Sequence, residues 1–108
     1  MLDRSPQFEL SIARTDAYCV VRATGELDIA SVAELSAVVG AARRAAERVV
    51  VDLRGVTFMD SFALRALVRL QGDDPHFHVI PGGSVQRVLD LTGARAALRW
   101  ISPEQLAA

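Results

Sequence analysis

The chain has 108 residues, 51% of them hydrophobic and 23% charged, with 12 Lys+Arg against 13 Asp+Glu for a formal net charge of −1. One core can be buried at this length, and the proportions exclude a disordered or low-complexity chain. The scattered arginines also argue against a nucleic-acid binder, which carries a clustered basic excess. Cys19 is the only cysteine, so no intrachain disulfide can form and a reducing compartment is expected. Met1-Leu2-Asp3-Arg4-Ser5-Pro6 lacks the basic-then-apolar pattern of an export signal. No apolar run nears the roughly 20 residues of a membrane span. The expected location is the cytoplasm, without membrane insertion, and residues 1–108 read as a single domain.

In chain order, Phe8-Glu9-Leu10-Ser11-Ile12 alternates apolar with polar, the period of a strand with one buried face. Residues 13–16 read as a hairpin connection to a second strand over 17–24. From Ser31 the spacing of Val32, Leu35, Val38, Val39 and Ala42 predicts a helix to about Glu47, with Ser31-Val32-Ala33-Glu34 as its capping box. Val49-Val50-Val51-Asp52-Leu53 suits a central strand covered on both faces, and residues 54–60 then read as a connection. A second helix is predicted over Ser61–Gln71, stopped by Gly72. Phe77-His78-Val79-Ile80 follows as a strand, then a third helix with Ser84 as N-cap and Gly93 as its end. Leu98-Arg99-Trp100-Ile101 reads as a last strand, and Ser102-Pro103-Glu104 as the start of a small helix. The order β-β-α-β-α-β-α-β-α predicts an α/β fold, a mixed sheet of about five strands with helices packed on it.

Catalytic constellations are not apparent. His76-Phe77-His78 puts two imidazoles on one side of a strand, but a third metal ligand is missing nearby, and a polar loop leading into a strand explains the pair. Cys19 reads as a buried, inert thiol. Gly82-Gly83 lacks the spacing of a phosphate-cradling loop. Without a paired acid and base, an activated nucleophile or a metal set, the chain is not expected to be an enzyme, and no cofactor or metal is expected.

The informative place is Phe58-Met59-Asp60-Ser61-Phe62-Ala63-Leu64-Arg65. Asp60 falls at or beside a helix N-cap and Ser61 in the first turn, facing free N–H groups and the positive end of the helix dipole. A phosphate on Ser61 is tolerated there. Ser61, Arg65 and Arg69 recur every four residues, about 6 Å of rise per step, and so share one helix face. Arg65 can curl back toward a phosphoryl group on Ser61, while Asp60 repels it. The alternative is that Asp60 or Ser61 simply caps the helix.

Three pieces together resemble a known family: Gly25-Glu26-Leu27-Asp28 after a strand, Val50-Val51-Asp52-Leu53-Arg54-Gly55-Val56-Thr57-Phe58-Met59-Asp60-Ser61, and Val85-Gln86-Arg87-Val88-Leu89-Asp90-Leu91-Thr92-Gly93. In order and spacing they resemble a STAS domain, in particular the stand-alone bacterial anti-sigma-factor antagonists. The resemblance implies a switch protein. It binds an anti-sigma factor that is also a serine kinase, thereby releasing a sigma factor, until the kinase uses ATP to phosphorylate a serine and a serine phosphatase reverses the change. The acceptor position falls on Ser61. Asp28, Asp60 and Ser61 are implied members of the partner-binding surface, with Ser31, Arg54, Arg65 and Arg69 as further candidates expected near that edge. The family usually continues Asp-Ser with a small hydroxyl residue and glycine, where this chain has Phe62 and Ala63. Phe62 is expected in the core, with an exposed partner anchor as the alternative. Two other functions fit the same resemblance: a STAS subunit of a membrane transport complex, docked on an ATPase, and a module that binds a nucleotide or small ligand between the Asp28 loop and the Ser61 helix.

Overall fold

A computed structural model describes residues 8–45 and 48–106. Its elements are β1 (Phe8–Arg14), β2 (Cys19–Leu27), α1 (Ile29–Ala45), β3 (Val49–Met59), α2 (Ser61–Gln71), β4 (Phe77–Ile80), α3 (Gly83–Thr92), a 3₁₀ turn (Arg95–Ala97) and α4 (Pro103–Leu106). Four strands form one mixed sheet in the order β1-β2-β3-β4, with β1 antiparallel to β2 and the other pairs parallel. The predicted α/β order therefore holds. The expected helix end at Glu47 and the segment read for an export signal lie outside the described residues. Among the described residues no helix is long and apolar enough to cross a membrane.

β3 is central because its side chains have apolar partners on both sides. Val49, Val51 and Leu53 join the main core with Val32, Leu35 and Val39 of α1, Leu64 and Leu67 of α2, and Val85 and Leu89 of α3. Val50 instead packs with Val20, Ile80 and Ile101 in a smaller cluster. A leucine as fully buried as Leu35 or Leu67 contributes about 1.5–3 kcal/mol. Cys19 is fully buried in the main core, as expected of an inert thiol.

Three expectations are corrected. Residues 54–59, read as a connection, continue β3: after an irregularity between Arg22 and Thr24, pairing with β2 resumes at Thr24↔Gly55 and runs to Leu27↔Met59. β4 reaches only to Asp52, so the second half of β3 has a free edge toward α3. An unpaired edge needs cover. α3 supplies it: the Ser84 hydroxyl donates to the Thr57 carbonyl at 3.0 Å, and Gly82 approaches β3 so closely that a Cβ there would sit 2.8 Å from both Arg54 Cα and the Leu53 carbonyl oxygen. Ser84 is thus not the N-cap of α3. Gly82 holds that position, because Ser84 lies one residue inside the helix with its hydroxyl committed to β3. The predicted fifth strand shrinks to a single bridge, Val79 to Trp100, flanked by Val79 N–H to Arg99 O and Ile101 N–H to Val79 O. The 3₁₀ turn on one side and Pro103 opening α4 on the other leave no room for more. The buried Gln71 side chain pins this stretch, donating to Ala97 O at 3.1 Å and accepting from the Arg99 amide at 2.7 Å.

Candidate functional site

The parallel strands β2 and β3 end together on one edge of the sheet, so α1 and α2 begin there, whereas β4 stops earlier, opposite Asp52. This is the edge at which α/β sheets ordinarily present binding residues. Leu27 and Met59 are register partners, which puts the next residues, Asp28 and Asp60, side by side. The Asp60 amide donates to the Leu27 carbonyl at 3.4 Å.

Asp28 caps α1. Its Oδ1 accepts from the amides of Ala30 at 3.0 Å and Ser31 at 3.1 Å, while its own amide donates to Ser31 Oγ at 2.9 Å. The reciprocal pair is a capping box, Asp28 with Ser31, one turn earlier than the expected Ser31 with Glu34. Ser31 Oγ donates in turn to the Glu26 carbonyl at 2.8 Å, with Asp28 Oδ1 a longer alternative at 3.1 Å. Ser31 is buried and fully engaged in holding the end of β2 to α1. The Ser31 amide is the chief cause holding the Asp28 carboxyl below its ordinary range, followed by partial burial, which opposes it, and by the Ser31 hydroxyl and Ala30 amide, which reinforce it.

Asp60 caps α2 from an extended backbone, φ −96° and ψ 173°, its Oδ1 accepting from the Ala63 amide at 2.8 Å. Ser61 is the first residue of α2 and exposed, and among the described residues its hydroxyl makes no hydrogen bond. With the cap supplied by Asp60, the Ser61 hydroxyl is left free beside the helix N-terminus. The core side of α2 is formed by Ala63, Leu64, Leu67 and Gln71. At about 100° per residue that stripe turns Phe62, Arg65 and Arg69 outward. Phe62 is accordingly 46% exposed, against the expectation of a core position, because Ala63 occupies the inward site. Arg65 and Arg69 share Ser61's side of the helix, and neither meets a carboxylate among the described residues.

Arg54 lies elsewhere, about 20 Å back along β3 from Asp60. It grips Asp52 through Nε to Oδ1 at 3.0 Å and Nη2 to Oδ2 at 2.8 Å, and Arg22 adds Nε to Oδ2 at 3.1 Å. Burial pushes the Asp52 carboxyl up, but hydrogen bonds from the Arg54 side chain and amide and from Arg22 outweigh it and hold the group below the carboxylate range. The geometry thus brings Asp28, Asp60 and Ser61 together, with Ser31 beneath them and Arg65 and Arg69 along α2, and leaves Arg54 apart.

Sequence reasoning missed the exposed apolar side chains at this end. Ile29 is 62% exposed at the start of α1, and Phe58 and Leu91 line a groove of about 210 Å³ between β3 and α3. A signal existed for Leu91, since it falls off the Val85 to Leu89 stripe that faces the core. The two histidines do not converge on further ligands: no group of three or more His, Cys, Asp or Glu side chains is placed to hold a metal among the described residues.

Residues 10–100 match the family profile described as "Mlab, STAS domain". The fold matches an anti-sigma factor antagonist from Mycobacterium paratuberculosis with a TM-score of 0.76 and 23% identity, covering 94% of this chain and 95% of that one. It also matches the Bacillus cell fate determinant SpoIIAA in its phosphorylated form, with a TM-score of 0.59 and 20% identity over 90% of this chain and 95% of that one. An antisigma-factor antagonist STAS domain from Rhodobacter sphaeroides gives a TM-score of 0.57 and 20% identity over 80% of this chain and 98% of that one. Among curated proteins none matches the sequence significantly. The profile spans nearly all of the sheet and its helices, and the chain belongs to the STAS domain family.

Proposed function

We propose that this STAS domain is an anti-sigma-factor antagonist: a cytoplasmic binding module, not an enzyme, that docks on an anti-sigma factor with serine kinase activity and is released when Ser61 is phosphorylated. The observation that carries the reading is the free, exposed Ser61 hydroxyl at the start of α2, next to an Asp60 whose carboxylate is already engaged as the cap. A kinase reaches this hydroxyl without unfolding the helix. Two of its structural neighbours are anti-sigma factor antagonists and a third is a cell fate determinant in a phosphorylated form, which supports the same reading.

The sign of the switch follows from charge. Phosphate adds about −1.5 to −2 charge beside Asp60 and Asp28, and in a docked interface that charge loses its water without a dedicated partner. A loss of a few kcal/mol follows, about a hundredfold in affinity. Asp28, Asp60 and Ser61 form the centre of the proposed surface, with Arg65 and Arg69 at its flank; a serine phosphatase resets it. The reading is tested by incubating the full chain with ATP and the anti-sigma kinase of its own cell, then mapping phosphate by mass spectrometry. Phosphate on Ser61, absent from Ser61→Ala, supports it. A chain left unmodified, or modified equally in both, rejects it.

A further inference from the structure

The sheet ends at β1, whose far side meets no other strand among the described residues. Its pairing with β2 runs unbroken from Phe8↔Gly25 to Arg14↔Cys19, with neither a bulge nor a proline. Edge strands are ordinarily blunted by such devices, by shortness or by lysines, because their unpaired amides and carbonyls template another strand. β1 is seven residues long, and its Ile12 is 51% exposed.

The hairpin bond decides which backbone groups are open. Thr15 N–H donates to Tyr18 O at 2.9 Å, so the hydrogen-bonded pairs with β2 recur at Ala13↔Val20, Ser11↔Arg22 and Glu9↔Thr24. The amides and carbonyls of Phe8, Leu10, Ile12 and Arg14 therefore point away from β2. The side chains of these residues share one face, the one on which Phe8 and Leu10 pack against the main core.

Charge divides along the strand. Near its start, a recess of about 490 Å³ is lined by Phe8, Glu9 and Leu10 together with Glu34 of α1. Arg22 also lines it, but the buried Asp52 meets that charge at 3.1 Å. At the other end Arg14 is exposed, and neither it nor Glu9 or Glu34 forms an ion pair among the described residues. Acid near one end and base at the other make the strand complementary to its own reverse.

We propose that the chain forms a two-fold dimer in which β1 of one copy pairs antiparallel with β1 of another, seating Arg14 of each in the recess beside Glu34 of the other. A two-fold axis normal to the sheet keeps each face on its own side, so even-numbered residues oppose even and odd oppose odd. One such register opposes the whole of β1: Ser11 faces Ser11, Leu10 faces Ile12 and Phe8 faces Arg14. It joins the open amides and carbonyls to one another, covers Ile12 with the other copy's Leu10, and lays Arg14 against Phe8. Asp16, the other charge at the hairpin turn, falls two residues past Arg14 and so beyond Phe8, outside the paired stretch. The reversed copy turns its Ser61 edge to the opposite end of the joined sheet, which leaves both edges open to a partner. The dimer is therefore independent of the anti-sigma reading.

The test is sedimentation of the full chain from micromolar to millimolar concentration, with oxidation of added cysteines as the measure of register. The expected result is an equilibrium between one and two copies that Arg14→Glu weakens about tenfold or more and that adding Glu34→Arg restores. Oxidised Ser11→Cys forms a covalent dimer, because the two positions meet at the axis, while Ala13→Cys, which faces Glu9, does not. Cys19 is fully buried and takes no part. All the substituted side chains are exposed, so the variants keep the fold, which their circular dichroism verifies. A single copy at every concentration, a dimer indifferent to Arg14→Glu, or equal cross-linking of the two cysteine variants would each overturn the proposal.

Discussion

The Asp60 amide lies 3.4 Å from the Leu27 carbonyl, and this contact ties the start of α2 to the end of β2. Its consequence is that two helix caps, Asp28 and Asp60, stand next to each other, with Ser61 immediately beyond. The candidate site is therefore a junction of secondary structure whose geometry is set by backbone pairing. The side chains that fix it are separable from the one proposed to switch it.

Removing a cap should cost stability and leave Ser61 exposed. For Asp60→Ala the expected loss is about 1 kcal/mol, since the Ala63 amide loses its acceptor at a position water can reach. Ser31→Ala should cost about 1–2 kcal/mol, because it strands the Glu26 carbonyl and the Asp28 amide at a buried position. Urea denaturation measures both. A Ser31→Ala midpoint equal to wild type would mean that the turn is held by something else.

Phe62 separates a core role from a surface role. At 46% exposure, Phe62→Ala should lower stability by about 1 kcal/mol or less, where a buried phenylalanine costs about 3–5 kcal/mol. A loss in the larger range, read from the same denaturation series, would return Phe62 to the core.

Asp52 is a structural carboxylate by this account. Replacing it with alanine should cost about 2–3 kcal/mol, at the lower end for a broken buried pair because Arg22 and Arg54 are each nearly half exposed and regain water. Partner affinity should be unchanged, since Asp52 and Arg54 lie far from Ser61. A variant of normal stability with lost binding would move the functional surface to that face.

Acid should destabilise the fold in two stages. Burial, then the positive charges of Arg99, His76 and Arg48, push the His78 imidazole below its ordinary range against the opposing pull of Asp74, and its Nδ1 is buried with no hydrogen-bond partner among the described residues. The unfolded chain therefore binds a proton that the folded chain rejects, so stability is level above about pH 6.5 and falls as pH drops below it. Asp52, held low, adds its own loss as pH falls from the ordinary carboxylate range through its folded value. Urea midpoints across pH should show both stages, and His78→Gln should flatten the first while sparing the second. An unchanged slope in that variant would exonerate His78.

Much of the fold was legible because it rests on local periodicity. The bounds of α2 follow from the Asp60 cap, the apolar spacing and Gly72, and β3 declares itself through its valines. What stayed hidden depends on tertiary pairing. Nothing local in residues 54–59 shows that β2 extends far enough to pair with them, nor that α3 covers the free edge through Gly82 and Ser84. The geometry of the candidate site was legible at Asp28, Asp60 and Ser61, which lie at element ends that sequence marks well. It was misjudged at Phe62, where an apolar residue beside the inward Ala63 falls on the outer face, and the placement of Arg54 near the same edge failed because β3 runs on for another five residues.

The most direct test of the central claim is recovery of the anti-sigma factor kinase from its native cytosol by the tagged chain, compared across wild type, Ser61→Ala and Ser61→Glu. The account predicts capture by wild type and Ser61→Ala and about a tenfold or greater loss with Ser61→Glu, a mimic carrying less charge than phosphate. Equal capture of the kinase by all three, or capture of a transport ATPase in its place, would contradict it and leave Ser61 as no more than the first residue of a capped helix.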